Sequence, residues 1–212
     1  MKTRIIVDMA KEGKETRNSI ITLAGMGQQE FAITLEQLVS GGFNHLHGQN
    51  PGIHFLTEIP VEVGLSAGIF GNMRALVAGG VRAVRVDITS ETNALFGALR
   101  RIVLTGKDSN IEVFGDIGGR NSPAPLELTA LANEAGCQGV VTSWRYLGEL
   151  LHFRSDEFQL LVPWTVHLED RGDQFAPSEN GEYNEASGLL IRPIEPRGIE
   201  EYLRLYNAFL GG

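Results

Sequence analysis

Leu76-Val77-Ala78-Gly79-Gly80 runs directly into Val81-Arg82-Ala83-Val84-Arg85-Val86-Asp87, and this stretch decides the reading of the fold. An apolar helix end passes through a glycine pair, which can take the left-handed turn that closes a helix, into a strand whose middle is apolar on both faces. The same phrase recurs where Leu38-Val39-Ser40-Gly41-Gly42 precedes residues 43–47, and where residues 132–136 precede residues 139–143. Repeated passages from helix to strand, with strands covered on both sides, predict a parallel α/β sheet with helical crossovers.

Working outward from these anchors, strands are predicted at 19–24, 43–47, 60–65, 83–88, 111–117, 139–143, 158–162 and 188–192. Eight strands is the number of a (β/α)8 TIM barrel, with an open doubly wound sheet as the alternative that local pattern does not separate from it. Apolar residues at helical spacing predict helices over 30–39, 71–78, 92–103, 126–134 and 199–209. The apolar run 4–9 is a ninth strand candidate, set apart by the charged stretch 11–17, so residues 1–17 read as an N-terminal arm on a single barrel domain spanning 1–212.

Composition narrows the classes of partner. A chain of 212 residues with 42% hydrophobic side chains can bury one sizeable core. Its net charge of -8 and pI near 5.2 repel a polyanion at long range, which argues against nucleic acid or an anionic membrane surface as partner. No apolar run approaches the roughly 18 residues of a membrane span, and the first residues do not resemble a signal peptide, so a cytoplasmic protein is expected. The single cysteine, Cys137, sits where a helix hands over to a strand and reads as a buried structural thiol.

In parallel barrels catalytic groups project from the C-terminal ends of strands and the loops after them. On the predicted strands, His47, Glu62, Asp87 and Asp116 fall there, one from each of four successive strands. Three carboxylates and an imidazole could hold a divalent metal such as magnesium, or divide acid and base roles around an enediolate. The plainer reading has equal weight: Asp87 and Asp116 cap the following helices, and Glu62 pairs with a nearby arginine.

The last third carries an ordered set of motifs: Gly139-Val140-Val141-Thr142-Ser143, Leu160-Leu161-Val162-Pro163, Gly172-Asp173-Gln174, Ala176-Pro177 and Leu189-Leu190-Ile191-Arg192-Pro193-Ile194. In order and spacing this set resembles the orotidine monophosphate decarboxylase superfamily. The resemblance implies a decarboxylase-like lyase that takes a phosphorylated sugar or nucleotide, with Gln174 and Arg192 gripping the phosphate, and it implies a homodimer. A guanidinium suits the task, since its planar fork of donors matches phosphate oxygens. The chain departs from the family at the third-strand Asp-x-Lys-x-x-x-Asp. Val61-Glu62-Val63-Gly64-Leu65-Ser66-Ala67-Gly68 keeps only Glu62, and the other register, through Glu58-Ile59-Pro60, puts Phe55 where the lysine belongs. The four lysines, Lys2, Lys11, Lys14 and Lys107, all lie away from the predicted strand ends. The expected chemistry is therefore diverged. Two alternatives stand beside it: a non-catalytic phospholigand-binding relative, and a metal-dependent phosphosugar isomerase or epimerase.

Overall fold

The computed structural model describes residues 4–10, 16–25, 27–40, 43–88, 93–118, 124–166 and 186–193. Eight parallel strands run through them: β1 (Arg4–Asp8), β2 (Glu30–Ile33), β3 (His54–Ile59), β4 (Val81–Asp87), β5 (Glu112–Asp116), β6 (Gly139–Val141), β7 (Gln159–Val166) and β8 (Gly188–Pro193). Each pairs with the next in chain order, and β8 returns to β1 in the register Arg4↔Gly188 to Val7↔Ile191. Helices α1 (Thr16–Gly25), α2 (Leu35–Ser40), α3 (Phe43–Gln49), α4 (Ile69–Ala78), α5 (Asn93–Ser109), α6 (Pro125–Ala135) and α7 (Trp144–Leu150) connect the strands as far as β7, giving a TIM-type fold.

From β4 onward the predicted strands stand within a few residues of their places, whereas the first three expectations are overturned. Residues 19–24 lie in α1, where Thr16, Ile20 and Leu23 are buried at helical spacing while Ile21 is 45% exposed. Residues 43–47 lie in α3, with Phe43 and Leu46 inward and His45 outward. Residues 61–65 form a 3-10 turn; Pro60 has no N–H to give a ladder and β3 ends just before it. The strands that take these places are elsewhere. Residues 4–8, expected in an arm, are β1, hydrogen-bonded on both sides as a wall of the barrel. The helix expected over 30–39 is instead β2 followed by α2, because Thr34 and Gln37 form a capping box: Thr34 N–H donates to Gln37 Oε1 at 2.8 Å and Gln37 N–H to Thr34 Oγ1 at 3.0 Å.

Two apolar layers follow from strand alternation. Inside the barrel, Ile6, Ala32, Leu56, Ala83, Phe114, Val141, Leu161 and Leu190 form one cluster, one side chain from each strand. Outside it, strand residues such as Val84, Val86 and Val113 pack under helix residues such as Met73, Leu99 and Leu128. The N-terminal end of the barrel is closed by charge: Arg4 reaches Glu30 at 2.7 Å and Glu112 at 2.6 Å, with its guanidinium 5.6 Å from the centre of the Phe114 ring. Burial works to lower the Arg4 pKa, and the two carboxylates outweigh it and hold the guanidinium charged.

Candidate functional site

At the opposite end, alternation from the inner residues Ala83 and Phe114 brings Arg85, Asp87 and Asp116 to the inner face where their strands finish. The ladders place Glu58 beside Arg85 and Asp87 beside Asp116. Arg85 Nη2 donates to Glu58 Oε2 at 2.8 Å, while its Nη1 stands 3.8 Å from Asp116 Oδ2, an ion pair too long for a direct hydrogen bond. Glu58, Arg85 and Asp87 border a cleft of about 600 Å³ over the ends of β2 to β4, whose polar lining among the described residues is Thr34, Glu36, Glu58, Glu62, Arg85 and Asp87. Among the described residues, four carboxylates there meet one guanidinium.

Local turns fix the rim. Asp8 Oδ1 accepts from Ala10 N–H at 3.0 Å after β1, and Asp116 Oδ1 accepts from Gly118 N–H at 3.0 Å after β5. Gln37 ties the capping box to the end of β1 by donating to the Met9 carbonyl at 3.1 Å. After β6, Ser143 caps α7 and accepts from Arg145 N–H at 3.4 Å. Within this rim Asp116 is electrostatically distinct. Burial raises its pKa, the Gly118 amide and Arg85 oppose the rise, and Asp87 and Glu58 add to it. A carboxyl that keeps its proton more readily than an exposed one, at the mouth of a barrel, is suited to proton transfer.

Of the residues singled out from the sequence, Glu62, Asp87 and Asp116 arrive at this one end. Glu62 follows β3 on the 3-10 turn, and both it and Asp87 are solvent-exposed. His47 does not join them. It lies on α3, with Nδ1 2.9 Å from the carbonyl of Ile53, just before β3 begins, and its ring packs so closely on Gly80 that a Cβ there would stand 2.6 Å from it. Both neighbours precede strands, so His47 belongs to the N-terminal end of the barrel. The expectation fails because residues 43–47 form a helix and not a strand. Asp116 bonds its own turn and does not cap α6, whose cap position is Ala124. Gln174 lies outside the described residues. Arg192 is in β8, its backbone opposite Thr165 of β7.

Arg85 and Asp8 also stand at this end, unexpected from the sequence, and Glu58, which enters the sequence reading only through the register Glu58-Ile59-Pro60, is the partner of Arg85. Asp8 was hidden by the arm assignment. Arg85 carried a usable signal, because charged residues at 85 and 87 share one face of the strand with the apolar Val81 and Ala83. Among the described residues no three His, Cys, Asp or Glu side chains gather closely enough to hold a metal ion. Cys137 is buried, and burial pushes its pKa up to about 12, as expected of a structural thiol. No described helix is long and apolar enough to cross a membrane.

No family model matches the chain. No curated protein matches it in sequence. Solved structures do match. The orotidine 5'-phosphate decarboxylase of Lactobacillus acidophilus superposes with a TM-score of 0.65 at 13% identity, covering 96% of this chain and 98% of that one. The orotidine 5'-monophosphate decarboxylase of Sulfolobus solfataricus gives 0.63 at 11%, covering 94% and 95%. The enzyme of Pyrococcus horikoshii gives 0.61 at 12%, covering 93% and 96%. At such identities the likeness is one of fold, and the fold is that of the orotidine monophosphate decarboxylases.

Proposed function

We propose that this chain is an orotidine monophosphate decarboxylase-like (β/α)8 barrel, a lyase of diverged chemistry that takes a phosphorylated sugar or nucleotide at the C-terminal ends of its strands. The observation that carries the reading is the cluster of Arg85, Glu58, Asp87 and Asp116 at the end of the barrel where enzymes of this fold place their chemistry. In it Asp116 serves as proton donor, Asp87 or Glu62 as acceptor, and Arg85 steadies negative charge developing on the substrate. Gln174 and Arg192 hold the phosphate on the β7–β8 side, and the protein works as a homodimer. The phosphate assignment rests on the ordered motifs of the last third and on the suitability of a guanidinium for a phosphate. Titration calorimetry with ribose 5-phosphate tests it. Arg192→Ala should weaken binding by about 2 kcal/mol, roughly thirtyfold, and an unchanged affinity would remove the assignment.

A second reading, binding without turnover, is favoured by one observation: among the described residues no lysine stands at the mouth, Lys107 being on the outer helix α5. Product detection after incubation with ligands that bind separates the two.

A further inference from the structure

The charge of the cleft bears on which phosphorylated ligands it admits. We infer that the β2–β4 side of the mouth selects a ligand whose end remote from the phosphate is uncharged and hydroxyl-bearing, and rejects one that carries a carboxylate there. This rests on the phospholigand reading above and departs from the substrate named for the enzymes that share the fold.

The argument is one of charge and of hydrogen-bond inventory. Glu36, Glu58, Glu62 and Asp87 line the cleft, and among the described residues Arg85 is the one cation in its lining. That guanidinium is already engaged: Glu58 accepts from it at 2.8 Å, and Asp116 faces its other nitrogen at 3.8 Å. A ligand carboxylate entering here would have to displace Glu58 from Arg85 and then stand among like charges, and juxtaposed like charge is an effective means of rejecting a wrong partner. A hydroxyl faces no such conflict. It donates to a carboxylate oxygen while accepting from a guanidinium N–H, so the Glu58–Arg85 pair presents an acceptor and a donor side by side for one hydroxyl or for two neighbouring ones. Because Glu58 is more than half exposed and the cleft opens to solvent, the rejection is screened by salt.

Two matched ligand pairs read this directly: glucitol 6-phosphate against 6-phosphogluconate, and uridine 5'-monophosphate against orotidine 5'-monophosphate. The members of each pair differ in a carboxylate remote from the phosphate. Binding is measured by titration calorimetry with the full chain at low and high ionic strength, with inorganic phosphate as reference. The uncharged member should bind about tenfold more tightly at low salt, the gap closing to within about threefold near 0.5 M. Glu58→Gln and Asp87→Asn, separately and together, should narrow the gap at low salt by raising the affinity of the carboxylated member. Both residues are exposed, and circular dichroism confirms that the variants fold. Equal or tighter binding of the carboxylated member overturns the inference and leaves the phospholigand reading standing. A gap that neither salt nor the variants alter overturns the assignment to this cleft. Failure of all four ligands and of phosphate to bind overturns the phospholigand reading, and the inference with it.

Discussion

Asp116 is where the balance between burial and partnership is finest. Burial raises its folded pKa above the unfolded value, despite the Gly118 amide and Arg85. Stability linked to its protonation is therefore fully present below the unfolded carboxyl's pKa and is lost as pH rises through the raised folded value. Asn cannot ionise but keeps a carbonyl for the Gly118 amide. Asp116→Asn should accordingly raise the thermal midpoint at neutral pH and lose that advantage in acid, where both side chains are neutral; a lower midpoint at neutral pH would mean that the Arg85 contact outweighs burial. Cys137 makes a simpler case. With its pKa pushed up to about 12 and its sulfur enclosed, the native thiol should resist iodoacetamide near pH 8 and react only once the chain is unfolded. Alkylation at the rate of a free thiol under native conditions would contradict that. At this scale the sequence reading succeeded where a residue's role follows from its neighbours in the chain, as for Cys137. It failed where the role depends on strand phase, and His47, placed one segment wrong, moved to the other end of the molecule.

Among elements, β1 matters most to the account, since it pairs with both β2 and β8 and carries Arg4 into the barrel floor. Arg4→Ala leaves Glu30 and Glu112 facing each other without their shared cation, and breaking such a partly buried network should cost about 2 kcal/mol or more in urea denaturation. A cost within a few tenths would mean that solvent already carries those carboxylates. The reading of elements was sound from β4 onward because left-handed turns at Gly80, Asn110 and Gly136 separate α4, α5 and α6 from the strands that follow them. It was unsound before β4, where residues 19–24 offer a short apolar run that suits strand or helix alike and only burial of every third or fourth residue reveals the helix. The Thr34-x-x-Gln37 capping box was a legible stop between β2 and α2, and the helical spacing of Phe31, Leu35 and Leu38 masked it.

For the whole molecule, the parallel-stranded TIM-type fold was legible even though three of the expected strands were assigned to the wrong residues. Helix–strand alternation is a property of the entire chain and survives local errors of phase, whereas a site needs each strand end placed to the residue. Asp87 and Asp116 therefore stand at strand ends as expected, β4 and β5 being placed correctly, whereas Asp8 and Glu58 end strands that the sequence reading put elsewhere. The account now turns on one claim, that a phosphorylated ligand sits over the C-terminal ends of the strands, with its phosphate toward β8 and its far end in the acidic cleft. Amide chemical-shift mapping with ribose 5-phosphate tests it most directly. The account predicts saturable shifts at Ile191 and Arg192 together with Glu58, Asp87 and Asp116, and none at the floor residues Arg4, Glu30 and Glu112. Shifts confined to the floor, or none at any concentration that saturates the ligand's solubility, would contradict it.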